Sequence, residues 1–213
     1  MDAESQTPDG ARKKKIKQLN EGLRIFNDEI EQKKHSSERV DISVITFGNG
    51  ISVEHDFSSF GEWSPKTLEA GGATPMGGGI KKAIEVIETQ KSFYRENAIQ
   101  YNRPLIWILT DGEPTDMKPG GSLWRDVQDK LREGTAKGKF TIFAMAIGST
   151  AIEKLNKLVK EPSGRPALPL KEGMFVEYFQ FLSKSLEQVS THDHDDSSLN
   201  LDKDDLEKFT QID

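Results

Sequence analysis

The sequence predicts an α/β fold, namely a doubly wound, mostly parallel sheet with helices on both of its faces. Two apolar segments are the main basis for this prediction. Residues 105–109 (LIWIL) and 140–147 (FTIFAMAI) show no polar alternation, which is typical of strands that are covered on both sides. The segments around them carry apolar residues at helical spacing, so strands and helices alternate along the chain. We therefore expect residues 105–109 and 141–147 to be inner strands of one sheet.

The remaining elements follow from the same two periodicities. Steps of three and four between apolar residues predict helices over residues 11–34, 78–97, 122–137 and 173–189, and a short one around 152–158. Residues 40–47 (VDISVITF) are rich in β-branched side chains and stop at the turn Gly48-Asn49-Gly50. This pattern predicts a hairpin whose second strand lies near 51–57. A short edge strand is predicted at 167–170.

Composition excludes several classes of protein. The formal net charge of −6 argues against a general nucleic-acid binder. The chain has no cysteine, which rules out disulfides and thiolate zinc sites. No apolar run approaches the roughly 18 residues of a membrane span. These features predict a soluble, cytoplasmic protein without membrane or nucleic-acid partners.

The composition changes after Ser190. We expect residues 1–190 to form the folded domain and residues 191–213 to be an acidic, flexible tail. The tail is expected to dock at most through a few apolar residues, namely Leu199, Leu201, Leu206 and Phe209. Removing it should then change the melting temperature little. The HDHDD run at 192–196 is interpreted as part of this solvated tail rather than as a metal site.

Two polar segments carry the candidate chemistry. Asp111 directly follows the strand at 105–109, and ligands of open α/β sheets bind beyond the carboxyl ends of strands. A turn-capping role for Asp111 is an equally weighted alternative. The glycine-rich segment 71–79 (GGATPMGGG) precedes a predicted helix, but it matches no phosphate-binding motif well, and Thr74 could be an N-cap. Trp63 is a weak candidate for a partner contact.

The combination of GGATPMGGGI and LIWILTDGEPTD resembles the von Willebrand factor type A (VWA) family, and most closely its bacterial tellurite-resistance, TerY-type branch. The resemblance covers roughly residues 15–190. It extends to four further segments: KQLNEGL at 17–23, VDISVITFG at 40–48, GKFTIFAMAIG at 138–148 and YFQFLSKSL at 178–186.

The resemblance implies a metal-ion-dependent adhesion site that holds Mg²⁺ or Mn²⁺. The family's threonine maps onto Thr74, and the aspartate of its T-D-G turn maps onto Asp111. Oxygen ligands of this kind suit a hard divalent cation. The implied role is a non-enzymatic protein-interaction module whose partner offers an acidic side chain. The TerY-type resemblance further implies a stress or tellurite-resistance setting with phosphatase- or kinase-like partners.

The sequence departs from the family pattern at its beginning. The D-x-S-x-S motif and the central first strand before it are missing, and we expect them upstream of Met1. A rival interpretation takes Asp2, Glu4 and Gln6 as a degenerate form of the motif. In either case Thr74 and Asp111 are the remaining direct ligands, so we expect weak metal affinity.

Two other functions compete with the interaction module. The first is a Mg²⁺-dependent phosphoryl-transfer enzyme in which Asp111 and Asp116 hold the metal. Against it, the sequence offers no phosphate-binding lysine motif and no nucleophile paired with a base. The second is a metal-free scaffold, which the absence of the first metal motif favours. Glu113 and Asp116 could instead support the loop, and Asp116 could cap the segment before the next helix.

Overall fold

The computed structural model describes residues 1–8, 10, 12–33, 38–191 and 208–210. The chain divides into two compact units, and each is described by itself. The first unit comprises Met1–Val44, Glu54–Gly71 and Leu170–Asp213, and the second comprises Ile45–Val53 and Gly72–Pro169.

Strands and helices follow one another along the chain. In chain order the elements are β1 (Glu4–Gln6), β2 (Arg12–Lys14), α1 (Lys15–Glu31), β3 (Asp41–Gly48), β4 (Gly50–Ser59), a 3-10 turn (Phe60–Glu62), α2 (Met76–Glu96), β5 (Leu105–Thr110), α3 (Ser122–Ala136), β6 (Thr141–Ile147), α4 (Ser149–Ser163), β7 (Leu168–Leu170) and α5 (Phe175–Thr191). The predicted helices are all present, within a few residues of their expected ends.

Within the described residues, the strands form three separate sheets. β1 pairs with β2, β3 pairs with β4, and the third sheet has the order β5-β6-β7. β5 and β6 are parallel and in register from Leu105 opposite Thr141 to Thr110 opposite Ala146. β6 is the middle strand of its sheet, and six of its seven residues are buried, as its apolar run predicted.

The prediction that residues 105–109 form an inner strand was wrong. Among the described residues, β5 is the terminal strand of its sheet, and its residues alternate between buried and half-buried. An apolar run reports what covers the two faces of a strand, but it carries no information about hydrogen-bonded neighbours. The expectation of one sheet was wrong as well, while the doubly wound arrangement and a first strand upstream of Met1 stay predictions.

In the first unit, α1 and α5 pack against each other at a glycine. A Cβ on Gly22 would come within 2.3 Å of a ring carbon of Phe179, so only glycine allows this approach. Phe26 packs edge-on against Phe60, with ring centroids 5.0 Å apart, and Trp63 joins them. Trp63 is only 5% exposed and therefore belongs to the core rather than to a partner surface.

One part of the C-terminal segment is in contact with α5. Phe209 is buried, with its ring centroid 5.8 Å from that of Tyr178 and 5.0 Å from that of Phe181. The amide of Lys171 donates to the carbonyl of Phe209 at 2.8 Å. Three of the four expected docking residues, Leu199, Leu201 and Leu206, lie outside the described residues, as does the HDHDD run.

In the second unit, helices α3 and α4 cover β6. Their inward faces are apolar at helical spacing, and the buried side chains are Trp124, Val127, Leu131, Leu155 and Leu158. Across the sheet, Trp107 of β5 stacks on Phe143 of β6 with ring centroids 4.3 Å apart. Within the described part of the chain, no helix is long and apolar enough to cross a lipid bilayer. The cytoplasmic location stays a prediction.

Candidate functional site

The turn that carries Asp111 is held by the last residue of β5. The side chain of Thr110 is buried, and its hydroxyl donates to the carbonyl of Gly112 at 3.1 Å. The same oxygen accepts from the amide of Gly112 at 3.2 Å. Thr110 thereby closes a compact turn, and Asp111 lies between the two bonded residues.

The segment that carries Thr74 is bonded to the same loop. The amide of Thr74 donates to Oγ1 of Thr115 at 2.9 Å, and the amide of Thr115 donates to the carbonyl of Thr74 at 2.9 Å. A Cβ on Gly112 would lie 3.0 Å from Oγ1 of Thr74. The hydroxyl of Thr74 is therefore next to Gly112, the residue that follows Asp111.

Asp116 caps the N-terminus of α2. Its Oδ1 accepts from the amide of Gly77 at 3.1 Å, and its Oδ2 accepts from the amide of Gly78 at 2.9 Å. A carboxylate at this position satisfies two amides that a helix leaves without a partner and complements the helix dipole. The sequence-based suggestion was that Asp116 caps the segment before the next helix, whereas its carboxylate is bonded to a helix that precedes it in the chain.

This capping bears on the glycine-rich segment. An anion at the start of α2 would compete with the carboxylate of Asp116 for the same two amides. The glycines instead permit close packing: a Cβ on Gly78 would lie 2.3 Å from Cδ1 of Ile51, and one on Gly79 would lie 2.8 Å from Cδ1 of Phe47. The phosphate-binding interpretation therefore has no support in the second unit.

The other nearby carboxylate is also engaged. Glu113 forms an ion pair with Lys154 of α4. With Asp116 bonded to α2, neither of these two acids is a strong candidate for a direct metal ligand. In the first unit, Asp2 is bonded to Lys14 at 2.8 Å, and this hydrogen bond lowers the pKa of Asp2. The ion pair gives Asp2 a structural role in the β1–β2 hairpin.

The donor chemistry at Thr74 and Asp111 suits a hard cation. A hydroxyl oxygen and a carboxylate oxygen are ligands that Mg²⁺ and Mn²⁺ accept, with water in the remaining positions. Among the described residues, no three side chains of histidine, cysteine, aspartate or glutamate cluster closely enough to hold a metal ion. Any site at Thr74 and Asp111 therefore depends on water or on a partner for most of its ligands.

Comparison with known proteins identifies the family. The family model for the von Willebrand factor type A domain matches residues 10–180, which is most of the chain. The chain belongs to the von Willebrand factor type A family. Its fold is accordingly of the α/β, Rossmann-like class, and VWA domains in general mediate protein–protein interactions. The match spans both segments that carry the candidate site.

Solved structures give a weaker comparison. The chain is similar to proximal thread matrix protein 1 from the mussel byssus, at 16% identity and a TM-score of 0.46. A second crystal form of that protein gives 18% identity and a TM-score of 0.47. The chain is covered to 82% in both comparisons, but it spans only 43% and 42% of the mussel chain. No curated protein sequence matches this VWA chain.

Sequence reasoning missed the residues that hold the loops together. Thr110 was named only as part of the T-D-G turn, without a role of its own, and Thr115 was not singled out. A threonine at the end of a strand before a glycine is a local signal for a side-chain-bonded turn, and it could have identified Thr110. The bonds of Thr115 join residues 41 positions apart, so no local pattern indicates them.

Proposed function

We propose that this VWA domain is a non-enzymatic interaction module that recognises an acidic side chain of a protein partner through a divalent cation at Thr74 and Asp111. The supporting observation is the reciprocal bonding of Thr74 and Thr115. It holds the threonine segment against the loop that begins with Asp111. The cation would be Mg²⁺ or Mn²⁺, and the partner's carboxylate would fill a position that the protein leaves to water.

The broader biological setting is proposed on the sequence resemblance alone. TerY-type similarity points to a bacterial stress or tellurite-resistance system, with phosphatase- or kinase-like proteins among the partners. A metal-free scaffold is the second candidate, and the small number of protein ligands favours it. The phosphoryl-transfer alternative loses support because both oxygens of Asp116 accept hydrogen bonds from amides of α2.

The experiment that tests this proposal uses Mn²⁺ as a paramagnetic probe. Mn²⁺ at roughly millimolar concentration should broaden the amide NMR signals of Thr74 and Gly112, since weak oxygen sites bind in that range. Asp111→Ala should abolish the broadening, and Thr74→Ala should reduce it, because a neutral hydroxyl contributes less than a carboxylate. Asp129→Ala, which removes an exposed acid from α3, is the matched control and should leave the broadening unchanged.

The Mn²⁺ experiment distinguishes the cation-dependent module from the metal-free scaffold. Broadening that persists in Asp111→Ala would exclude this metal site. A complete absence of broadening in the unaltered protein would favour the metal-free scaffold.

A further inference from the structure

The turn between β3 and β4 consists of a single residue, Asn49, which is followed by a glycine. β3 ends at Gly48 and β4 begins at Gly50, and Asn49 and Gly50 are both exposed. Gly50 has a φ of +109°, a conformation that residues with a Cβ rarely adopt. A Cβ there would meet no described atom within 4 Å beyond its chain neighbours. In the second unit, the space around Gly50 is therefore open to water and to changes of the backbone.

An asparagine that precedes a glycine has a characteristic reaction. The backbone nitrogen of the glycine attacks the side-chain carbonyl carbon of the asparagine, because no Cβ hinders its approach and glycine tolerates the torsions that the small ring imposes. Asn49-Gly50 is the one pair of this kind in the sequence. Asn97 and Asn102 are also exposed, but alanine and arginine follow them.

The carboxamide of Asn49 lies against the glycine-rich segment that carries Thr74. A Cβ on Gly72 would come within 2.3 Å of Oδ1 of Asn49 and 2.8 Å of the carbonyl oxygen of Gly48, so only glycine fits there. Gly72 also has a φ of +73°. The position of this segment, two residues before Thr74, therefore depends on the shape of the turn at residue 49.

We propose that Asn49 is a site of spontaneous deamidation, and that its conversion releases the glycine-rich segment from the turn. The nitrogen of Gly50 forms a bond to Cγ of Asn49, and the side-chain nitrogen leaves as ammonia, which takes up the proton of the Gly50 amide. Water then opens the ring. Cleavage of the bond between Cγ and the Gly50 nitrogen gives aspartate. Cleavage at the backbone carbonyl carbon gives isoaspartate, whose main chain runs through Cβ and Cγ.

Both products disturb the contact with Gly72. Either one introduces a carboxylate where the neutral carboxamide lies beside Gly72, close to the carbonyl oxygen of Gly48. Two oxygens that carry negative charge or partial charge repel each other at such a distance. Isoaspartate also adds one carbon atom to the main chain in a turn of a single residue, and turn length fixes the register of a hairpin. The reaction therefore acts as a slow, irreversible switch on the Thr74 segment.

Storage of the protein at mildly alkaline pH in EDTA tests the modification, because deprotonation of the Gly50 amide promotes the attack. Peptide mapping by mass spectrometry locates each asparagine whose carboxamide has become a carboxylate. Since only glycine leaves the attacking nitrogen unhindered, Asn49 should convert roughly ten times faster or more than Asn97 and Asn102, the matched controls within the chain. Asn49→Gln, whose longer side chain closes the ring far less readily, should stay unmodified at residue 49. Equal rates at the three asparagines, or an unmodified Asn49, would overturn the proposal.

Amide NMR spectra of the stored protein test the effect on the glycine-rich segment. New signals of Gly72 and Thr74 should grow at the rate at which mass spectrometry records the conversion, while the signal of Asp129 in α3 stays unchanged. Asn49→Asp introduces the carboxylate without lengthening the main chain, so it should reproduce the signals of the aspartate product alone. Conversion that leaves Gly72 and Thr74 unshifted would overturn the release of the segment. Because EDTA keeps metal away, these outcomes are independent of the Mn²⁺ experiment.

Discussion

Thr74 and Thr115 are joined by two hydrogen bonds that run in opposite directions. The amide of Thr74 donates to the hydroxyl of Thr115, and the amide of Thr115 donates to the carbonyl of Thr74, both at 2.9 Å. The carbonyl of Thr74 also accepts from the amide of Met76 at 2.7 Å, where α2 begins. The position of Thr74 relative to the Asp111 turn therefore depends on a residue that was not among the predicted ligands.

The first prediction concerns the hydroxyl of Thr115. Thr115→Val keeps the side-chain shape but leaves the amide of Thr74 without its acceptor. The free energy of unfolding should fall by about 1 kcal/mol, which is typical of one hydrogen bond. Urea denaturation measures this change. Thr115→Ser, which retains the hydroxyl, is the control and should stay close to the unaltered protein. A loss in Thr115→Ser but none in Thr115→Val would mean that the methyl group, not the hydroxyl, matters.

The second prediction concerns the helix cap at Asp116. Asp116→Ala should destabilise the fold by about 1–2 kcal/mol, because two amides at the N-terminus of α2 lose a charged acceptor. Asp129→Ala removes an equally exposed carboxylate and should change stability by less than about 0.5 kcal/mol. Thermal and urea denaturation of both variants provide the comparison. A tolerated Asp116→Ala would show that water replaces the carboxylate at no cost.

The third prediction distinguishes two neighbouring glycines. Alanine at Gly78 meets the terminal methyl of Ile51, a side chain that is 43% exposed and can turn away. Alanine at Gly79 meets not only Cδ1 of Phe47 but also its Cβ, at 3.2 Å, which the ring cannot move aside. Gly78→Ala should therefore be neutral or stabilising, since alanine favours helices by about 1 kcal/mol. Gly79→Ala should cost about 1–3 kcal/mol through overpacking. Matching urea midpoints for the two variants would contradict this packing account.

The sequence predicts the helices and strands of this fold better than it predicts which strands lie side by side in a sheet. Periodicity located the helices and β6, because burial of a face or of a whole strand leaves a pattern in the residues themselves. The position of β5 at the end of its sheet left no such pattern, since its apolar run is compatible with either place. Sheet order depends on pairing between distant segments, and single-sequence patterns do not encode it.

The candidate site shows the same contrast between local features, which the sequence predicts, and contacts between distant segments, which it does not. Asp111 was predicted because it follows an apolar strand directly, and Thr74 was predicted through the family resemblance. Asp116 was expected to act locally, as a cap on the segment before the next helix, but it caps a helix that begins 40 residues earlier in the chain. Capping rules read from sequence assume local partners. The glycines of α2 suggested a ligand, whereas their near neighbours are side chains of the β3–β4 hairpin and the loop after β5.

The fourth prediction concerns the pH dependence of stability. Burial lowers the pKa of His55 below its ordinary value of 6.5, Lys66 acts in the same direction, and Asp56 opposes them. The unfolded chain therefore binds more protons than the folded chain just below pH 6.5, and the free energy of unfolding should rise as the pH increases through that range. His55→Gln should flatten the dependence in the range below about pH 6.5. An unchanged slope in urea denaturation would assign the pH dependence to other groups.

The last prediction concerns Phe209. The acidic composition of residues 191–213 predicted that the segment could be removed with little effect, but Phe209 is only 2% exposed against Tyr178 and Phe181. An antiparallel bridge between Leu170 and Thr210 fixes the backbone beside it. Phe209→Ala should therefore lower the free energy of unfolding by about 3–5 kcal/mol, as expected for a buried phenylalanine.

The matched control is Phe93→Ala, the same substitution at a side chain that is 51% exposed, and it should change stability by less than about 0.5 kcal/mol. A chain that ends after residue 208 should lose as much stability as Phe209→Ala, because it lacks both the ring and the backbone bond to Lys171. Melting temperatures of the two variants and the shortened chain measure these effects. If the shortened chain has the same melting temperature as the unaltered protein, the ring contributes nothing to the fold, and the composition-based expectation holds for residues 209–213.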